Sequence, residues 1–384
     1  DGFIWGPPLM MLLMGTGILM SVRLGLLQVM KLPKALQLIL PPAAGEGDVS
    51  SFQALCTALA ATVGTGNIVG VATAIKLGGP GALLWMWLAA FFGMATKYSE
   101  GVLAVKYRTY DENGNASGGP MYYIEQGLGK KFKPLAVMFS IFGVMTACLG
   151  SGTFTQVNAI TSIVNVSFGV SEYVVAAILT VLVAVVIIGG LQSIANVASK
   201  IVPFMAAVYV IVTVSVLVFY ADALPAAIKL VIDGAFNGTA AAGGFAGAGI
   251  MLAMRSGIAR GIYSNESGLG SAPIVAAAAK TKWPAEQGLV SMTGTFIDTI
   301  IICTMTGLSI IVSGAWTGDL NGAALTEAAL LLLSGCCQVC PDRRPGTLRL
   351  HHYYRLELLR RALRRISLRR KMHHAYRMVH HSGR

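Results

Sequence analysis

Three observations predict an all-α polytopic membrane protein. Hydrophobic residues make up 55% of the 384 and charged ones only 12%, and the mean hydropathy is +0.67, a balance rare in a water-soluble domain of this length. Apolar runs approaching or exceeding the roughly 20 residues that cross a bilayer core recur along the chain. These runs are continuous and lack the alternation of a transmembrane barrel; helices, by contrast, satisfy their own backbone groups in lipid.

The runs fall at about 9–27, 52–76, 82–105, 134–164, 173–190, 201–221, 240–262 and 290–313, and another opens near Ala323. Orientation follows from Lys and Arg near the span ends, because cytoplasmic loops carry the excess. Loops 28–51, 97–133, 191–200 and 255–289 hold thirteen, from Lys31 to Lys282, whereas the alternate loops hold Lys76 and Lys229. The first set is therefore expected inside and the N-terminus outside. No signal peptide is apparent, and the chain opens at Asp1, so further N-terminal residues are expected. Cys56, Cys148 and Cys303 lie in apolar runs, where Cys serves as a small hydrophobe.

The net charge of +12 is unevenly placed. Residues 1–335 hold 16 basic and 15 acidic side chains, and residues 336–384 hold 13 and 2. From Cys336 the chain turns rich in Arg, His and Cys, and all 6 His lie there. The apolar run from Ala323 ends too soon to span. The spacing of Cys336, Cys337 and Cys340 matches no regular zinc module, and the segment is expected to be a discordant basic tail read in a shifted frame. No nucleic-acid partner is expected; a nucleic-acid or lipid-headgroup surface is the alternative. Residues 1–335 then form the membrane-spanning body.

Within the second run, residues 60–70 read AATVGTGNIVG. Two glycines separated by one residue, beside Thr and Asn, are poor helix formers. The pattern predicts either a broken membrane helix, whose freed amides and carbonyls meet a ligand, or close packing through small residues. A second Gly-rich stretch, GGFAGAG at 243–249, sets Gly247-Ala248-Gly249 five runs after Gly64-Thr65-Gly66. An odd number of spans per repeat inverts the second copy, the arrangement in which paired discontinuous helices bracket a midplane site.

Five segments carry a resemblance: ATVGTGNIVG (61–70), GGPGALLWMWLAAFFG (78–93), SGGPMYYIEQGLG (117–129), KIVPFMA (200–206) and GIARGIYSNESGLGSAPI (257–274). Over residues 1–335 the chain resembles the alanine or glycine:cation symporters (sodium:alanine symporters), within the group having the leucine-transporter-type fold. The resemblance implies a peripheral helix within 1–30 and inverted five-helix repeats with discontinuous first helices. The first repeat spans about 52–221, and the second, truncated, about 240–335. It implies sodium-coupled symport of alanine or glycine into the cytoplasm across a bacterial or archaeal plasma (inner) membrane, with sodium the coupling ion, no covalent cofactor and no enzymatic reaction. The alternatives are a passive channel and an inactive remnant.

By the same resemblance the substrate carboxylate meets the amides around Thr65 and Gly66, with Asn67 a polar neighbour and Gly247 and Gly249 in the second break. The carbonyls of Ala60 and Val63 are the expected sodium ligands. Gln156 either points its amide at the substrate or bonds another helix. Phe245 and Met251 either limit pocket size or pack as ordinary apolar residues. Asp298, about ten residues into its span, is either functional or paired with a neighbouring Thr or backbone donor. Glu100 is expected to be solvated or paired locally with Lys97. The stretch 261–274 belongs to the inner mouth, either as part of a gate or as a loop with Ser271 capping a helix that has Pro273 just inside.

Overall fold

The computed structural model describes residues 6–40, 45–149, 151–237 and 246–336. Helix α1 (Pro7–Arg23) starts where Pro7 and Pro8 occupy positions whose amides need no partner. It stops before Gly25 and Leu26, both at positive φ. Two short helices, α2 (Leu27–Met30) and α3 (Leu32–Gln37), follow. The strand β1 (Val49–Ser50) leads into α4 (Ser51–Thr62) through a capping box, in which Gln53 N donates to Ser50 Oγ and Ser50 N to Gln53 Oε1. Beyond α4 the helix breaks, resumes as a π-helical turn at Gly66–Gly70 and continues as α5 (Val71–Gly78), the two halves bent by 49°.

Helix α6 (Ala82–Lys106) runs 25 residues. It is followed by a small hairpin, β2 (Thr109–Tyr110) with β3 (Ala116–Ser117). Asp111 turns the hairpin by accepting from the amides of Asn113 and Asn115. The Asn115 side chain, a further donor, holds its carboxyl below the ordinary range. Next come α7 (Pro120–Leu128), α8 (Lys133–Leu149), α9 (Ser151–Phe168), α10 (Glu172–Ile188) and α11 (Gly190–Phe219). Helices α12 (Leu224–Phe236), α13 (Ala246–Asn265) and α14 (Ala272–Ala276) lead to β4 (Ala279–Lys280), which pairs in parallel with β1. Helix α15 (Pro284–Thr295) passes through a second π-helical stretch, Phe296–Cys303, into α16 (Thr304–Val312), and α17 (Gly322–Cys336) follows.

The chain is a multi-pass helical membrane protein. Three helices in the described residues cross a membrane by length and composition, at Lys130–Cys148, Gly190–Phe219 and Pro284–Val312, and the bent pair around Gly64 makes a fourth. The other expected spans are helical where they are described but fall short of that measure. Helices α1 and α10 have 17 residues each, and α6 carries Lys97, Glu100 and Lys106. The run expected at 134–164 falls on α8 and α9, on either side of Gly150. Outward faces are apolar and open, as at Phe142, Val181, Val185 and Ile188. Large apolar side chains left uncovered in such number fit a lipid surrounding.

One core holds Val71 and Ile75 of α5 against Leu83 and Met86 of α6, Val231 of α12, Ile310 of α16 and Leu325 of α17. A second holds Leu55, Cys56 and Leu59 of α4 against Ala198 and Val202 of α11 and Val290 of α15. The two halves of the broken helix thus belong to different cores. Cys56 and Cys303 pack as small buried residues, whereas Cys148 is exposed. The basic tail lies outside the described residues.

Candidate functional site

At the break, Val63 N makes the last helical bond of α4, to Leu59 O at 2.7 Å, and Val63 then adopts an extended backbone with ψ 99°. The Gly64 amide, which an unbroken helix would aim at the Ala60 carbonyl, instead donates to Asn67 Oδ1 at 2.8 Å. The carbonyl end of α4 therefore lacks its helical donor there. Thr65 and Gly66 open the next half-helix, where first-turn amides have no intrahelical acceptor. Carbonyl oxygens from one half and amides from the other so face a single gap.

Both glycines of this gap are closely packed. A Cβ on Gly66 would lie 3.0 Å from Ser264 Cα, so α13 could not approach a larger residue as closely. A Cβ on Gly64 would lie 3.1 Å from Gln156 Oε1, which places the Gln156 amide directly against the break.

Behind the break sits a buried polar cluster. Asn67 Nδ2 donates to Asp298 Oδ1 at 2.8 Å and to the Asp298 carbonyl at 3.0 Å. Ser264 Oγ and Thr299 Oγ1 each donate to Asp298 Oδ2 at 2.8 Å. Asn265 Nδ2 donates to Thr299 Oγ1, and Thr326 Oγ1 donates to the Ile68 carbonyl. Asp298 is 0% exposed, and Asn67, Ser264 and Thr299 are buried with it. The two π-helical stretches meet here, and a π turn displaces carbonyls from their usual partners, leaving acceptors that Asn67 and Thr326 satisfy.

On the side of the break toward β1, a cavity of about 360 Å³, open space at its mouth included, runs along α4. It extends from Ala54 to Thr62, about 12 Å at 1.5 Å per residue. Its lining is mostly apolar, with Thr62, Lys97, Asn265, Gln287 and Ser291 as the polar members. Lys97 Nζ donates to the Asn265 and Glu266 carbonyls at the end of α13, a favourable place for a cation. Glu100 Oε1 accepts from Gly270 N, and its Oε2 has no partner.

The structure thus brings Thr65, Gly66, Asn67 and Gln156 together and places Ala60 and Val63 at the carbonyl end of the same break. Asn67 turns both ends of its amide to protein, so it braces the gap. Gly247 and Gly249 lie inside α13, which is helical from Ala246 to Asn265. The interruption expected at 247–249 is therefore absent there, and Phe245 lies outside the described residues. Met251 is 54% exposed on that helix and is not among the residues lining the cavity along α4.

Asp298 has the expected neighbouring Thr, and in addition Asn67 and Ser264 from distant segments. Glu100 is buried, not solvated, because the loop after α13 folds over it. Ser271 makes no capping bond and donates to Glu266. Ser264 and Thr326 went unnoticed in the sequence. Ser264 lies in the polar stretch 261–274, whose sequence points to the inner mouth and not to the site, and Thr326 is a hydroxyl in a largely small and apolar stretch.

Comparison with known proteins adds a family and its members. The sodium:alanine symporter family matches residues 1–338. An uncharacterized transporter of Haemophilus influenzae is 57% identical over 331 residues, covering 86% of this chain and 72% of its own. The sodium/alanine symporter AgcS of Methanococcus maripaludis is 49% identical over 338 residues, covering 86% and 74%. The probable sodium/glutamine symporter GlnT of Bacillus subtilis is 40% identical over 335 residues, covering 86% and 68%.

The brace makes a test of stability. Replacing Asn67 by Ala leaves the Gly64 amide without its acceptor and removes one donor from a buried carboxylate, a loss of roughly 2–4 kcal/mol. Thermal unfolding in detergent should show it as a lowered midpoint. Asn67→Asp should be lowered further, because it sets a second carboxylate beside Asp298; equal midpoints for all three proteins would show that Asn67 does not hold the break.

Proposed function

The chain belongs to the sodium:alanine symporter family, and we propose that it carries a small neutral amino acid, alanine or glycine, into the cytoplasm together with Na⁺ by alternating access. One observation carries this reading: the helix stops at Val63 and restarts at Thr65, leaving carbonyls and amides on opposite sides of one gap. The amides of Thr65 and Gly66 hold the substrate carboxylate, aided by the half-helix dipole. The carbonyls of Ala60 and Val63 coordinate Na⁺, a hard cation that suits oxygen ligands. Gln156, lying against Gly64, orients the substrate with its amide.

Binding of the ion couples to conformation only if its affinity differs between states. A 49° bend whose halves sit in different cores supplies such a difference, since rotating one half changes the spacing of the carbonyls. The distribution of Lys and Arg supports an outside N-terminus. The repeats, about 52–221 and from about 240, are read as inverted copies because the break and the second Gly-rich stretch stand five spans apart.

Residues 336–384 are proposed to be a shifted-frame tail outside the transporter body; the family match ending at residue 338 supports this. Sequencing the locus through the codons for 330–340 should find an inserted or deleted base, and an uninterrupted frame there would remove the proposal.

In proteoliposomes an inward Na⁺ gradient should drive accumulation of alanine above its external concentration, and a sodium ionophore should abolish it. Downhill flux insensitive to the gradient would mean a channel. Gln156→Ala should raise the KM for alanine about tenfold if it removes one good polar contact of about 1.4 kcal/mol, with the Na⁺ requirement intact. An unchanged KM would take Gln156 out of the site.

A further inference from the structure

We propose that the corner between α7 and α8 binds an anionic phospholipid, with Lys106, Lys130 and Lys131 around its phosphate and the outer face of α8 along its acyl chains. The corner is set by a glycine and a tight turn. Gly129, at φ 98°, ends α7, and Lys130–Phe132 form a single 3-10 turn that runs into α8. Residues three apart in such a turn stand over one another, so Lys130 and Lys133 share one side while Lys131 and Phe132 take the others. Tyr107, just beyond α6, brings in a fourth lysine. A Cβ on Gly127 would lie 3.3 Å from Tyr107 Cζ, so that ring rests against the end of α7. Lys106 Nζ stands 5.2 Å from the centre of the same ring. The fold thus adds Lys106 from the end of α6 to the lysines of the turn, a grouping that the sequence does not show.

Little offsets this charge. Glu125 Oε1 lies 3.6 Å from Lys133 Nζ, and among the described residues no acidic side chain pairs with Lys106, Lys130 or Lys131. All four lysines are exposed. Basic side chains clustered at a membrane surface attract anionic headgroups, and the ammonium of a zwitterionic headgroup would be repelled by the same cluster.

The surface beside the lysines favours a lipid over a soluble anion. The apolar span that α8 belongs to opens at Lys130, so the lysines stand at its membrane boundary, and the rest of the chain covers almost none of that span. Lys131, Leu135, Met138 and Phe142 lie on one helix face by their spacing, and the three apolar members are exposed. Leu128 and Phe132 are exposed next to the lysines, at the headgroup level that suits an aromatic ring. A phosphate at the corner with hydrocarbon along the stripe engages both surfaces, whereas a free anion engages only the first.

The test uses the full chain purified in detergent. Offered equal amounts of phosphatidylglycerol and phosphatidylcholine, it should retain the first in native mass spectra. Lys130→Gln together with Lys131→Gln should weaken that retention about tenfold, the corresponding pair of Arg substitutions should keep it, and Lys229→Gln on α12 should leave it unchanged. Added phosphatidylglycerol should also raise the thermal midpoint of the wild type and not that of the Gln pair. Equal retention of the two lipids, or retention indifferent to the Gln pair, would overturn the proposal. So would displacement of the lipid by inorganic phosphate, which would make the corner a soluble-anion site, and so would a dimer that retains no lipid and persists in the Gln pair, which would give this face to a second copy. Retention as expected in a protein that does not accumulate alanine would leave the lipid site standing and remove the symport reading.

Discussion

A backbone polar group freed inside a membrane must find a partner, and most of the site follows from how this chain meets that demand at Gly64. In hydrocarbon an unsatisfied amide or carbonyl costs several kcal/mol, so a broken helix persists only where something replaces the lost bonds. Asn67 replaces one of them from within the next turn, its Oδ1 accepting from the Gly64 amide and its Nδ2 anchored on Asp298. The brace is covalently part of the helix it holds open. Its outer anchor belongs to another segment, so the geometry of the gap depends on the packing of the broken helix, α13 and the π-helical stretch after α15.

This dependence accounts for the second π-helical stretch. A regular helix through 296–303 would direct the Asp298 carbonyl along its own axis, whereas the π turn makes it available to Asn67. One side chain thus joins two irregular helices. Close approach then becomes necessary, and the small residues supply it: Gly66 meets the backbone of Ser264, while Gly257 on the same helix would carry a Cβ only 2.2 Å from the Ala82 carbonyl. Helix α13 is held against both the break and α6 by surfaces without side chains to spare.

The first break was legible because it is local. Two glycines flanking Thr, followed by Asn, weaken a helix whatever surrounds them, and the brace residue lies within the same motif. The second Gly-rich stretch shows the limit of that reasoning, for Gly247 and Gly249 are accommodated within a helix and glycine spacing alone does not distinguish a break from a packing surface. Asp298 was conspicuous by its depth, yet its partners were not, because Asn67 and Ser264 are 231 and 34 residues away. The burial of Glu100 was illegible for a similar reason. Its neighbour in sequence, Lys97, suggested a pair, but each found backbone on the far side of the loop after α13.

The arrangement of cores indicates where such a protein can move. Helix α5 is built into the cluster shared with α6, α12, α16 and α17, and α4 into the one shared with α11 and α15. Close-packed clusters shift as bodies and do not deform smoothly, so relative motion of the two concentrates where the chain passes between them. That passage is Val63–Gly64, the one stretch between the two halves whose backbone is neither α- nor π-helical. The residues that make the gap a place for a ligand are therefore also those that would bend, and occupation of the gap by a ligand bridging carbonyl and amide ends would bias the bend directly, without a separate relay.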